Sequence, residues 1–201
     1  HLLARRNAND LTVATNNAML ADSTFQASSG LMLREINGPT LAAVNPTRLF
    51  EPASTMKTMH LFASLWTCML GWDSLTDIVN VPVDMTGSCP SWASGSFTMW
   101  LKSTLQGMMK VSDNRRTEAI LKRYSKWWIE AIVHAYGAEG VQLNHTIGCA
   151  PGPNRNEVTL DDLYAIHTAV VNGDLGAFGD DFYELMINSD DEGFGELATI
   201  L

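Results

Sequence analysis

The sequence predicts an α/β fold, a mainly helical domain joined to a small antiparallel sheet region. Three observations carry that prediction. Residues 54–70 form a helical stretch that is apolar on nearly every side, with Met56, Met59, Leu61, Phe62, Leu65, Trp66, Met69 and Leu70 among its residues. Such a helix is buried at the centre of a domain rather than laid on its surface. Further segments with helical periodicity follow it at 98–110, 115–136 and from Thr159 to Asn172. Asn37-Gly38 lies between two short apolar runs, the strongest local hairpin signal.

The elements follow in order. Residues 3–20 read as a helix, with Leu11, Val13, Ala14, Ala18 and Leu20 among polar neighbours. Residues 25–35 read as a strand with a bulge at Gly30, and 40–45 as its returning partner. Pro52 opens the central helix, which stops at Gly71. The segment 76–97 is rich in Pro, Ser, Gly and Thr and reads as loop, apart from a short strand through Val79, Val81 and Val83. Trp100 reads as a core residue of the next helix, which starts near Thr98. The helix over 115–136 has its apolar stripe at Ile120, Leu121, Tyr124, Trp127, Trp128, Ala131, Ile132 and Ala135, and its stop at Gly137. Arg115, Arg116, Lys122, Arg123 and Lys126 read as a solvated face. Thr159 and Asp162 make an approximate capping box, and a short helix covers 180–187. We divide the chain into 1–47 (first helix and hairpin of the sheet region), 48–173 (helical domain) and 174–201 (start of a return to the sheet).

Composition narrows the function. The 201 residues are 46% hydrophobic and 17% charged, an ordinary globular balance. With 13 basic against 22 acidic side chains the net charge is −9, which argues against a nucleic-acid partner, since phosphate binding needs clustered Lys and Arg. No apolar run reaches the ~18 residues of a membrane span. The scattered His60, His134, His145 and His167 and the three cysteines show no zinc spacing, so neither a metal nor an organic cofactor is expected. Cys68 falls inside the central helix as a small buried hydrophobe. Cys89 and Cys149 both fall in loops and are the favoured disulfide pair.

Chemistry concentrates at Ser54 and Lys57. Three residues apart on a helix, they share a face. A serine hydroxyl is a weak nucleophile until a neighbour takes its proton. A lysine can take it when desolvation disfavours the ammonium. The amide ends at a helix N-terminus favour negative charge where a tetrahedral oxyanion would form. Ser112-Asp113-Asn114 lies at the junction of two predicted helices, where Asp and Asn also serve as caps.

S-x-x-K followed by S-D-N, in that order, resembles the penicillin-recognising serine hydrolases, the class A β-lactamases and related penicillin-binding proteins. The flanks Phe50 to Ser54 and Met108-Met109-Lys110-Val111 agree, and a weaker likeness runs from the first helix to Asn188. The resemblance implies a β-lactamase/transpeptidase-like fold with its site between helical domain and sheet. It implies Ser54 as nucleophile, Lys57 as base and Ser112 as proton relay to a leaving nitrogen. It also implies that Asn114 bonds the substrate or the lysine, that Asp113 holds the turn, and that Trp92 supplies an apolar wall of the cleft. The substrate would be a β-lactam or a cell-wall peptide. The alternatives are a D-Ala-D-Ala carboxypeptidase or esterase, and a catalytically inactive binding module of the same fold. The resemblance implies export to the periplasm or beyond in a bacterium. The chain begins at His1 with no signal peptide in view and reads as processed or trimmed.

Two departures qualify these expectations. No K-T-G or K-S-G follows Ser112, and no lysine follows Lys126, so the sheet reads as incomplete and the sequence as stopping short of the strand that carries this motif. The loop that holds the deacylating glutamate in class A enzymes runs here from Asn144 to Asn156 without Glu or Asp. His60 reads as a satisfied core histidine. Glu157 and His145 are the weak candidates for a water base: Glu157 reads rather as a surface or near-cap residue, and His145, whose side-chain type suits a base near neutral pH, as a loop histidine that nothing in the spacing aims at Ser54. Slow release of acyl groups is therefore expected.

Overall fold

The computed structural model describes residues 13, 14, 17 and 29–187. Val13, Ala14 and Asn17 are helical; the rest of the expected first helix, the start of the first strand and the segment from Asn188 onward lie outside the described residues. The described elements are β1 (Leu31–Arg34), β2 (Thr40–Val44), a 3₁₀ turn (Ala53–Met56), α1 (Lys57–Met69), β3 (Ile78–Thr86), β4 (Cys89–Trp100) and α2 (Leu101–Lys110). They continue with α3 (Asn114–Tyr124), α4 (Lys126–Ala135), α5 (Leu160–Val171), a second 3₁₀ turn (Gly176–Phe178) and α6 (Gly179–Ile187). Among the described residues the strands form two antiparallel pairs, β1–β2 and β3–β4.

The first pair turns at Asn37, whose φ of 58° suits Asn in a tight turn. Its register shifts at Leu33/Arg34, not at Gly30. Gly30 serves a close approach instead: a Cβ there would stand 2.8 Å from Cε2 of Phe50.

α1 is the axis of the helical domain. Every residue from Lys57 to Leu65 is buried, and helices α2 to α6 all pack against it. Phe62 meets Tyr136 edge-on at 5.1 Å and Phe182 at 6.5 Å between ring centroids. Ser54 itself belongs to the 3₁₀ turn that precedes α1, so the central helix begins three residues later than its pattern predicts. Gly71, with φ of 71°, donates its N–H to Cys68 O and ends the helix region.

His60 lies fully inside this core, its Nδ1 2.9 Å from Met56 O. A carbonyl only accepts, so Nδ1 carries the proton. Burial, aided by the nearby Lys57 and against the Met56 hydrogen bond, pushes its pKa down to about 4. An unfolded histidine titrates near ~6.5. Below that pH the unfolded chain binds a proton that the folded chain refuses, so stability falls as pH drops from about 6.5 towards 4. The expected loss at pH 5 is about 2 kcal/mol relative to pH 7. Urea unfolding of the parent and of His60→Gln at both pH values checks this, and an equal pH dependence of the two would refute it.

The segment expected to be mostly loop is a long hairpin. β3 and β4 pair from Ile78↔Trp100 to Thr86↔Cys89 around a turn at Gly87-Ser88, where Gly87 has φ of 63°. Val79 and Val81 point into the core while Ile78, Asn80 and Val83 face out. Pro82 stands where the register shifts, a position at which a strand tolerates proline. α2 consequently starts at Leu101, later than expected, and Trp100 is 60% exposed at the end of β4 rather than in the core.

The predicted helix over 115–136 is two helices. Ser125 adopts φ of 64° between them, and its hydroxyl accepts from Trp128 N to start α4. Arg123 is not a solvated charge: with Tyr124 it binds Asp73, fastening α3 to the turn after α1. Burial opposes ionisation of Asp73, but these hydrogen bonds outweigh it and hold the carboxyl well below the usual range. At the start of α5 the expected capping box is present, Thr159 Oγ1 accepting from Asp162 N at 3.0 Å and Asp162 Oδ2 accepting from Thr159 N at 2.7 Å.

Candidate active site

The 3₁₀ turn before α1 and the α2–α3 junction bring the two motifs together. Lys57 is 2% exposed. Burying an ammonium is costly unless oxygen acceptors replace water. Here its Nζ lies 3.1 Å from Ser54 Oγ, 2.6 Å from Ser112 Oγ, 2.7 Å from Ser112 O and 2.9 Å from Asn114 Oδ1. An ammonium has three N–H groups for these four oxygens, so two of them share one donor. Ser112 Oγ also donates to Ser54 Oγ at 2.9 Å. Ser54 Oγ therefore has two partners for its proton within reach, Ser112 Oγ and, once the ammonium has given up a proton, Lys57 Nζ.

Local structure explains these positions. Ser112 adopts φ of 54°, a left-handed conformation that costs a non-glycine residue about 1–3 kcal/mol and persists where surroundings fix it. The fixing bonds are Asp113 N to Gly107 O at 3.2 Å and Lys57 to the Ser112 carbonyl. Asp113 caps α3 by accepting from Arg115 N at 2.9 Å. Burial raises its pKa, but Arg115 and Arg116 outweigh that and hold the carboxyl below its ordinary value. Asn114 opens α3 with its amide donating to Ser88 O at 3.0 Å, which points its Oδ1 at Lys57.

A cavity of about 200 Å³ opens beside Ser54, with Glu51, Asn114, His145, Gly148 and Asn156 in its wall. Its outer side is the loop 142–157. The Cys89–Cys149 disulfide, the pair favoured from sequence, ties that loop to the β3–β4 hairpin. Asn156, 3% exposed, clamps it from within: its Oδ1 accepts from Asn144 N (2.7 Å) and His145 N (3.0 Å), and its Nδ2 donates to His145 O (3.0 Å). Gly148, with φ of 89°, accepts from Ser88 Oγ at 3.0 Å.

The remaining sequence candidates lie elsewhere or gain new neighbours. Trp92 is outside the cavity wall; its Nε1 donates to Glu118 Oε1 at 3.2 Å, and Lys122 Nζ sits 3.8 Å above its ring. Glu157 pairs through its backbone with Gln142 and does not line the cavity. His145, by contrast, stands in the cavity wall, with Nε2 3.4 Å from Glu51 Oε1. Sequence reasoning missed Glu51 and Asn156; neither residue carries a spacing signal, since they meet His145 only through the folded loop. Among the described residues no cluster of three potential metal ligands exists, and no helix is long and apolar enough to cross a membrane. A larger open depression of about 520 Å³ lies between Trp72, Trp127 and Trp128, and none of Ser54, Lys57 or Ser112 lines it.

The comparisons agree with this architecture. The β-lactamase from Sphaerobacter thermophilus DSM 20745 superposes with a TM-score of 0.69 at 18% identity, over 82% of this chain and 66% of that one. The β-lactamase from Chitinophaga pinensis DSM 2588 gives 0.70 at 14% identity, over 93% and 70%. PBP-A gives 0.68 at 18% identity, over 80% and 62%. The chain thus spans about two thirds of the length of these solved structures, which share its fold. No curated protein sequence matches it. The model of the Beta-lactamase enzyme family matches residues 11–193, nearly the whole chain, and the chain belongs to that family.

Proposed function

We propose that the protein is a serine hydrolase that forms an acyl-enzyme at Ser54 with β-lactams or related amides. The observation that carries the reading is the contact of Ser54 Oγ with both Lys57 Nζ at 3.1 Å and Ser112 Oγ at 2.9 Å. In this reading Ser54 Oγ attacks the carbonyl carbon while Lys57, as the neutral amine, takes its proton. The proton passes through Ser112 to the leaving nitrogen as the C–N bond breaks, and the Ser54 ester remains. The Ser54 backbone N–H supplies one oxyanion donor. Asn114 holds Lys57 and the substrate edge in register. A PBP-A mutant has been solved as an acyl-enzyme complex with penicillin G; the same adduct on Ser54 is the proposal here. The Cys89–Cys149 bridge favours work in an oxidising, extracytoplasmic compartment.

A cell-wall peptidase or esterase of the same chemistry is the second reading, favoured by the absence of any acid between Asn144 and Asn156. On that ground β-lactams acylate Ser54 faster than they leave it. An intact Ser54–Lys57–Ser112 cluster speaks against the third reading, an inactive binding module.

One experiment addresses these readings together. The full-length protein is mixed with excess chromogenic cephalosporin in a stopped-flow instrument, and the adduct is located by mass spectrometry. A burst of about one equivalent with mass added at Ser54, absent in Ser54→Ala, is expected. Equal labelling of Ser54→Ala would sink the assignment, and sustained fast turnover without a burst would sink the slow release.

A further inference from the structure

The cavity beside Ser54 contains a polar atom with nothing to bond. His145 Nε2 is buried and has no hydrogen-bond partner. The other ring nitrogen, Nδ1, lies 3.0 Å from Thr146 O. That carbonyl only accepts, so Nδ1 carries a proton, and whenever the ring is neutral Nε2 presents a lone pair. Facing it at 3.4 Å is Glu51 Oε1, a second acceptor. Arg155 Nε lies 3.5 Å from the other Glu51 oxygen and holds the carboxylate from outside. Both groups line the cavity wall, so a water in the cavity can donate a hydrogen bond to either of them.

Position makes such a water more than a filler. Glu51 lies three residues before Ser54 on the same approach segment, and both side chains line the cavity that His145 faces. Asn156 grips the His145 backbone at both N–H and carbonyl, which fixes where the ring can point. A general base must be held within reach of the water it deprotonates, and a second group must orient it. We propose that Glu51 and His145 hold and deprotonate the water that hydrolyses the acyl-Ser54 ester. The inference rests on the reading that Ser54 is acylated.

The water oxygen bonds to the ester carbonyl carbon and gives its proton to His145 Nε2, beside the Glu51 carboxylate. The bond from that carbon to Ser54 Oγ then breaks. Oγ takes a proton from the Lys57–Ser112 network, which regains it through solvent from His145. One water is consumed and one carboxylic acid is released. The base comes from the loop together with the segment before the nucleophile, and in place of a loop acid it sets the rate of the slow release proposed above.

The test uses the full-length protein and a fluorescent penicillin. Protein is pulse-labelled, excess probe is removed, and the Ser54 adduct is followed by intact-mass spectrometry in the parent, Glu51→Gln and His145→Ala. The label is expected to form in all three but to persist about 10²-fold or more longer in the variants, the usual cost of losing a general base. Added imidazole should shorten the adduct lifetime in His145→Ala and leave Glu51→Gln unmoved, which a merely structural role would not produce. Wild-type decay in both variants overturns the proposal while leaving acylation intact. A folded parent that takes no label at Ser54 overturns the acyl-enzyme reading and this inference with it. Should His145→Ala fail to fold, the near-isosteric Glu51→Gln decides alone.

Discussion

Replacing Lys57 by alanine is expected to slow acylation of Ser54 by about 10²–10⁴-fold, the usual consequence of removing the base that activates a nucleophile. Lys57 Nζ is placed for the task, 3.1 Å from Ser54 Oγ and bound on its other sides by Ser112 and Asn114. The alanine variant also strips a donor from the Ser112 carbonyl and from Asn114 Oδ1, at about 1–3 kcal/mol for each group left unsatisfied. Thermal unfolding must therefore accompany the rate measurement. Lys57→Arg separates the two effects. A guanidinium keeps the charge and several donors but does not give up a proton in proteins, so it can hold the network and cannot act as a base. Both variants should lose labelling by fluorescent penicillin, and Lys57→Arg should lose it with the smaller change in melting temperature. A loss under threefold in a folded Lys57→Arg would mean that another group activates Ser54.

Much of the nucleophile cluster was legible in the sequence because its information is local. Ser54 and Lys57 are one helical turn apart, and Ser112-Asp113-Asn114 carries its own turn and cap. The two motifs then needed only to meet across 58 residues, which the family resemblance implied and the hydrogen bond between Ser112 and Ser54 displays. The buried face of α1, the stop at Gly71 and the capping box at Thr159 follow from equally short-range rules. The β3–β4 hairpin did not, because its Pro, Ser and Gly content mimics a loop. Its pairing depends on Pro82 falling at a register shift and Gly87 at the turn. The break at Ser125 was hidden by an apolar pattern that reads continuously across it; in the folded chain a positive φ and the Ser125 cap of α4 mark it. The approach of Glu51 to His145 was illegible for a different reason. Glu51 is an ordinary acid before a proline, and His145 an ordinary loop histidine. Their 3.4 Å separation is set by the Asn156 clamp and by the cross-link from Cys149 to Cys89, contacts that no spacing within the loop encodes.

Gly148→Ala is expected to damage stability and acylation together. The backbone at Gly148 has φ of 89°, which an L side chain adopts only at a cost of about 1–2 kcal/mol. A Cβ built there would stand 2.1 Å from Ser88 O and 2.3 Å from Asn114 Nδ2. The first is backbone in the hairpin turn, tied to the loop through the adjacent Cys89 and its partner Cys149, so it cannot swing aside. The second belongs to a side chain bonded at one end to Ser88 O and at the other to Lys57. Relief therefore requires either the loop to lift from the hairpin or Asn114 to leave the lysine, and overpacking of this kind typically adds about 1–3 kcal/mol. The sum, about 2–5 kcal/mol, corresponds to a fall in melting temperature of roughly 4–20 °C for a chain of this size. Acylation should fall because Asn114 no longer holds Lys57 against Ser54 Oγ. Gly152→Ala is the matched control: it lies in the same loop, four residues on, and its Cβ would meet nothing within 4 Å. Its melting temperature and labelling rate should stay close to the parent's, since surface substitutions of that kind change stability by less than about 0.5 kcal/mol. Thermal unfolding and penicillin labelling of the two variants side by side provide the comparison. Parent-like behaviour of Gly148→Ala in both assays would show that the loop does not press on Asn114, and that the cavity wall beside Ser54 is looser than these distances require.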